Sequence, residues 1–387
     1  MTHHYVLRLL VVLLLTSGSL LAQKQAPSPR TRPLTTYENF ALRNRVANAD
    51  PTICYASKEN AFTRIGPPAG FNDARGRRAA ATSSFFVQYI GYPDSARAAF
   101  QRAVDIWSTL IISPIPIRIR ATWRPLAAGV LGSASPATYI GSPDGSQRAT
   151  SFYPISLAEK ISRRSINHPD SADIVANFSS TNNWYTGLDG NPRAGQYDLV
   201  TIVLHELGHG LGFTGGIRAS TPPTQEASVL LPTVFDAFVE NLEATKILSS
   251  TIAASPTALY TQLTGQNLYV NGPILQQKGG GRARLFAPTT YSAGSSLYHL
   301  DENTYRAGTP NALMTPFVAA TEVAQNPGPT VLAFFEDMEW KTTSLLHTPV
   351  TDLETAGGVI FTARVVSDTT LGANPPRLFY RTGIPTM

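Results

Sequence analysis

Two periodicities organise the central part of the chain. Phe85-Phe-Val-Gln-Tyr-Ile90 reads as a strand, and Pro93-Asp94-Ser95 then opens a helix with Asp94 or Ser95 as N-cap. In that helix Ala99, Phe100, Ala103, Val104, Trp107 and Leu110 recur at spacings of three and four, the mark of one buried face. From Ile115 to Trp123 the period is two, which predicts a strand; Pro114 and Pro116 at its start favour an edge position or a strand beginning. Asp173 to Phe178 reads as a further short strand, expected to form the sheet edge that lines a cleft. Leu199, Val200, Ile202, Val203, Leu204 and Leu207 make the next helix apolar on most sides, so it should be buried from about Asp198 to Leu211. Asp198 suits its N-cap, and Gly212 is placed to end it. The order strand, helix, strand, strand, buried helix predicts an α/β or α+β half-domain, a sheet packed on two helices, and α+β is the class expected of the whole.

The pattern is weaker on either side. Residues 23–82 are rich in Pro, Arg, Ala and Asn without clear period, and read as a pro-segment or linker, with regular structure beginning near Ser83. After Phe213 the periodicity breaks up. Thr233 to Leu242 suits a short helix or an extended piece, and Asn267 to Leu275 a hairpin around Asn271-Gly272. Gly279-Gly-Gly281 is a joint, Arg284-Leu-Phe a strand, and Val331 to Trp340 a closing helix. Residues 346–387 carry strand-like runs at Val359–Val366 and Arg377–Tyr380, too few for a β-sandwich of about 100 residues.

Composition narrows the class. Of 387 residues, 43% are hydrophobic and 15% charged, values of a folded protein. The net charge of +5 is scattered, without a dense Lys/Arg cluster or a nucleic-acid motif, so no nucleic-acid partner is expected. Val6 to Leu15 is apolar apart from Arg8 and leads to small residues ending in Ala22. That is the form of a secretory leader, residues 1–22, and it is short for a bilayer of about 30 Å, so export without stable membrane insertion is expected. A single cysteine, Cys54, excludes an intrachain disulfide. An exported protein of this size must then rely on its core and on bound ions, a usage that fits a bacterial source.

The chemistry concentrates in His205-Glu206-Leu-Gly-His209. Two histidines four apart on a helix share one face and can hold one metal ion, and Glu206 beside the first can act on a water at that ion. A catalytic zinc usually takes three protein ligands. Beyond the leader, the other histidines are His168, His299 and His347, and Asp236 is an acidic candidate. His168 and His347 sit next to or near prolines in turn-like settings and are expected to be exposed.

His205, Glu206, His209 and Gly212 match the metzincin signature HExxHxxG. The third histidine of the short form would fall at 215, which is Gly. The chain instead resembles the leishmanolysin-like metzincins, which bring that histidine from far downstream, shortly before a methionine turn. Ser296-Leu-Tyr-His299 and Asn311-Ala-Leu-Met314-Thr-Pro316 resemble that arrangement, with His299 lying 90 residues after His209 and Met314 a further 15 on. The resemblance implies a metzincin-like catalytic domain over 83–345, with an insertion at about 213–298; it covers neither 23–82 nor the strand-like extension at 346–387. It implies zinc held by His205, His209 and His299, Met314 as an apolar floor, and Glu206 as general base in peptide hydrolysis. In several metzincins a pro-segment cysteine blocks the metal. Thr52-Ile-Cys-Tyr-Ala56 lacks the flanking pattern of such a switch, so a buried or free thiol is the expectation for Cys54. The function expected is a secreted zinc endopeptidase acting on proteins or peptides. The alternatives are an exported binding protein on a non-catalytic metzincin scaffold, and a zinc hydrolase of another amide or ester.

Overall fold

The computed structural model describes residues 45–47, 51–72, 79–220, 224–341, 343–347 and 363–368. They belong to two units. The described part of the smaller one is an antiparallel hairpin, Thr343–His347 with Ala363–Ser367. The leader expected at 1–22, the first half of the strand expected at 359–366 and the strand expected at 377–380 lie outside the described residues.

The larger unit, residues 32–340, is a mixed α+β fold around a six-stranded sheet. In chain order its strands are β1 (Thr52–Ile65), β2 (Phe85–Ile90), β3 (Ile117–Arg124), β4 (Val130–Pro136), β5 (Ile174–Ser179) and β6 (Phe317–Ala324). Their spatial order is β6-β1-β4-β5-β3-β2. Only β4 runs antiparallel to its neighbours; every other pairing is parallel. Seven α-helices occur among the described residues: α1 (Asp94–Leu110), α2 (Ile155–Ser162), α3 (Leu199–Gly210), α4 (Ser250–Ala253), α5 (Pro256–Thr264), α6 (Pro273–Lys278) and α7 (Gly328–Asp337).

Helix α1 forms where its stripe predicts, and Ala99, Phe100, Ala103, Val104 and Trp107 are buried. Its N-cap is Pro93 rather than Asp94 or Ser95, and Asp94 stands in the first turn where its charge suits the helix dipole. Every residue of α3 is buried. Two tryptophans grip it through backbone carbonyls: Trp107 Nε1 donates to Leu204 O at 2.9 Å, and Trp340 Nε1 to Leu211 O at 2.9 Å. Trp107 also stacks on Phe335 of α7, with ring centroids 5.3 Å apart. A buried indole without a partner would cost about 1–3 kcal/mol, so these bonds fix the roll of α3 as well as its depth.

Several expectations are corrected. β5 is an interior strand, not the cleft edge, because β4 covers the side left open by β3. β3 is interior too, and its prolines mark the strand beginning. β4 escaped the pattern because Gly132, Ser133, Ala134 and Ser135 are small and buried on both faces, which leaves no alternation to read. Regular structure does not begin near Ser83: β1, 14 residues long, fills the sheet between β4 and β6. Asn271-Gly272 makes no hairpin. Tyr269–Val270 pairs with Val239–Glu240 and with Ala283–Arg284, and Gly272 caps α6 with Pro273 at its first position. Thr233 to Leu242 contains a 3-10 turn, Asp236–Phe238, followed by the strand Val239–Glu240.

The seam between β1 and β6 carries a pH-dependent load. Thr63 pairs with Glu322, which is 3% exposed. Burial, reinforced by the charge of Glu302, pushes the Glu322 carboxyl up to about 7, and burial likewise raises Glu302 to about 7. Unfolded, both would ionise near 4.5. Their burial therefore costs nothing below about pH 4.5 and destabilises the fold increasingly as pH rises to about 7, where the penalty levels off. Glu322→Gln is expected to raise the melting temperature at pH 8 by several degrees, at roughly 2–4 °C per kcal/mol, and to change it little at pH 4. Equal shifts at the two pH values would contradict this account.

Candidate metal centre

Asp198 starts α3, accepting the Thr201 N–H at 3.0 Å and the Thr201 hydroxyl at 2.7 Å. With the start fixed, the spacing of four puts His205 and His209 one above the other on a single face. The helix ends at Gly210, and Gly212 takes φ +122°, a conformation few other residues adopt. That turn folds Phe213 back so that its carbonyl meets His209 Nδ1 at 2.8 Å.

The loop 295–300 delivers His299, whose Nδ1 lies 2.8 Å from Ser295 O. Leu300 N–H donates to Met314 O, joining this loop to the 3-10 turn Ala312–Met314. The same turn presents Leu313 O to His205 Nδ1 at 2.6 Å. Met314 is fully buried, and a β-carbon at position 208 would stand 2.8 Å from its Sδ, so Gly208 is what lets the methionine pack under the helix.

Each Nδ1 faces a carbonyl and must carry the ring proton, which leaves Nε2 bare on all three rings. These bare nitrogens converge: His209 Nε2 lies 3.0 Å from His205 Nε2 and 3.2 Å from His299 Nε2. With no hydrogen to share, the contacts are repulsive unless a cation sits between them. Two ligands about 2.0–2.1 Å from a tetrahedral zinc lie roughly 3.3–3.4 Å apart, close to the distances seen. Burial holds His205 down to about 4 and pushes His209 and His299 well below the ordinary histidine range, so all three are neutral and fit to ligate.

Glu206 and the three histidines are all 0% exposed. Neither carboxylate oxygen of Glu206 has a well-formed hydrogen-bond partner. Burial pushes its pKa well above the carboxylate range, and the nearby amides of Cys54 and Ala134 only partly oppose this. An orphaned buried carboxylate beside three convergent lone pairs fits a metal and its water, and the donor set of three imidazoles suits zinc.

Gly132 of β4 faces the Glu206 carboxylate. Between β4 and the opposite rim runs the start of β1. Thr52, Ile53, Cys54 and Tyr55 pair antiparallel with Ala134, Ser133, Gly132 and Val130. On the other side Ile53 N–H donates to Gly294 O at 3.0 Å and Tyr55 N–H to Pro316 O at 3.1 Å. Cys54 is free and buried, as expected, yet it is no bystander: its sulfur and donor atoms of His205 and Glu206 lie within 4.8 Å of one another. Burial, then the charge of Glu206, raises its thiol.

The remaining candidates lie elsewhere. Asp236 accepts from Gly216 N–H, Thr233 N–H, the Thr233 hydroxyl and Tyr298 Oη, so it braces the residue before His299 instead of ligating. His168 is exposed beside Asp170. His347 lies in the hairpin of the smaller unit. His299→Ala is expected to weaken zinc binding on the order of a hundredfold or more, measured as zinc retained against a competing chelator; undiminished retention would exclude His299 as a ligand.

The family described as SPBPB7E8-like matches residues 94–253, less than half of the chain. That stretch runs from α1 past the His205–His209 pair and stops short of His299. No curated protein and no solved structure matches the chain.

Proposed function

We propose that the chain is an exported zinc metalloendopeptidase of the leishmanolysin-like metzincin kind, covered in this form by its own strand β1. The observation that carries the reading is the convergence of three bare Nε2 atoms beside the partnerless carboxylate of Glu206. The methionine turn beneath α3 and the antiparallel strand β4 facing Glu206 support the metzincin likeness. The apolar leader ending near Ala22 supports export.

Zinc held by His205, His209 and His299 would supply Lewis-acid polarisation of the scissile carbonyl and of the attacking water. Glu206 would take the proton of that water and pass it to the leaving amine. β4 would bind an extended peptide by backbone hydrogen bonds, the way it now binds Thr52 to Tyr55.

The occupied cleft also favours a second reading, a binding scaffold that never turns over. Zinc content measured together with chelator-sensitive cleavage of casein, before and after β1 is loosened, tests both. Zinc bound at one ion per chain with cleavage that a chelator abolishes supports the endopeptidase; zinc bound without cleavage in the loosened form supports the scaffold.

A further inference from the structure

Away from the three histidines, the loop 163–173 that joins α2 to β5 is wrapped round two buried carboxylates. Glu159 of α2 is 1% exposed, Asp173 at the foot of β5 is 0% exposed, and Asn167 is 7% exposed. Asn167 touches both: its N–H donates to Glu159 Oε1 at 3.1 Å, and its Nδ2 donates to Asp173 Oδ1 at 2.6 Å. Ile166 N–H and the Ser165 hydroxyl also donate to Glu159 Oε1, and Arg118 N–H donates to Asp173 Oδ2. The three donors to Glu159 thus crowd onto one oxygen. Glu159 Oε2 and Asn167 Oδ1 are buried without a hydrogen-bond partner among the described residues.

The charges add to the mismatch. Burial, then the charge of Glu159, pushes Asp173 up to about 6, and burial raises Glu159, although the Arg118 guanidinium opposes both shifts. A trapped water would satisfy bare oxygens but cancel neither charge. A cation does both. Two carboxylates and an amide carbonyl offer only hard oxygen donors, a set for calcium or magnesium and not for zinc. The carboxylates are held by backbone amides and cannot regroup into the tight octahedron that magnesium demands, whereas calcium accepts irregular surroundings. The position matters to the fold. Ile174 follows Asp173, and its side chain packs on Gly210, the last residue of α3. An ion here would pin the foot of β5 behind the helix that carries His205 and His209.

We infer that Glu159, Asn167 and Asp173 form a structural calcium site, separate from the three histidines, that fastens the loop 163–173 between α2 and β5. The inference stands whether or not the chain cleaves peptides. Its test uses the full-length, zinc-loaded chain, washed free of calcium and titrated with calcium chloride by calorimetry, with melting temperature and zinc content followed in parallel. One calcium per chain is expected, with a Kd of about 10⁻³ M or tighter, the range of extracellular sites. Saturating calcium should raise the melting temperature by about 5 °C or more. Glu159→Gln should abolish both responses, yet melt no lower than the calcium-free parent, since one of two like charges has gone. Asn167→Asp adds a third carboxylate, so it should melt lower than the parent without calcium and gain more from it. Zinc content should stay constant throughout. Absence of binding and of any melting shift in the parent at about 10 mM calcium overturns the inference, as does a response that survives Glu159→Gln. So does an Asn167→Asp variant that gains no more than the parent, which decides the matter even where Glu159→Gln folds poorly. A calcium effect that follows zinc loss or gain would place the ion at the histidines instead, and an equal rise with magnesium would overturn the choice of calcium.

Discussion

Glu206→Gln is expected to keep zinc bound at the level of the unaltered chain and to lower peptide cleavage by about 10²–10⁴-fold, the usual worth of a positioned proton carrier. Glutamine preserves shape and volume in a fully buried place, so α3 and its three imidazoles should not move. It removes only the capacity to take and return a proton. Glutamine keeps a carbonyl oxygen for the nearby amides of Cys54 and Ala134, so neither is left stranded when the carboxyl goes. The measurement pairs zinc analysis with kcat/KM on a chromogenic peptide, in a form with β1 loosened. Cleavage within threefold of the parent would remove Glu206 from the mechanism. Loss of zinc along with activity would mean that the carboxylate holds the site together and does not catalyse.

Ile53→Pro combined with Tyr55→Pro is expected to raise cleavage from near background by at least about a hundredfold. Each proline removes an N–H that now donates across the cleft, to Gly294 O and to Pro316 O, and its ring is incompatible with a central strand. The pairing of Cys54 with Gly132 should then fail, exposing His205, Glu206 and His209. Cys54→Ala offers the contrast. It deletes the thiol near the metal centre and leaves the backbone pairing intact, so a large gain from Cys54→Ala alone would assign the block to sulfur instead of to the strand. No gain from the double proline, in a chain that still binds zinc and melts cooperatively, would favour the scaffold that does not turn over.

The parts of this molecule that were legible in the sequence are those whose pattern is local. The stripe of α1, the apolar run of α3 and the Asp198 cap are each decided by residues within a few turns, and they formed nearly where the spacing put them. Gly212 is read as easily, because a reversal after a helix needs φ > 0. His299 was reachable through resemblance alone; its place beside His209 depends on a loop fixed by Ser295, Phe286 and Met314, none of which has a periodic signature. β1 and β4 were illegible for a related reason. β4 is built of small residues buried on both faces, and β1 is stabilised by partners at 130–134 and 317–324 that a window along the chain never sees. Treating β5 as the edge followed directly from missing β4.

The carbonyls behind the imidazoles have a consequence for biosynthesis. His209 is aimed by Phe213, four residues on, but His205 is aimed by Leu313, more than a hundred residues later. A chain folded only as far as α3 has two of the three convergent imidazoles, and that of His205 still lacks its carbonyl anchor. Tight uptake of an ion would therefore await the turn at 312–314, and the site could close only once nearly all of the larger unit is in place.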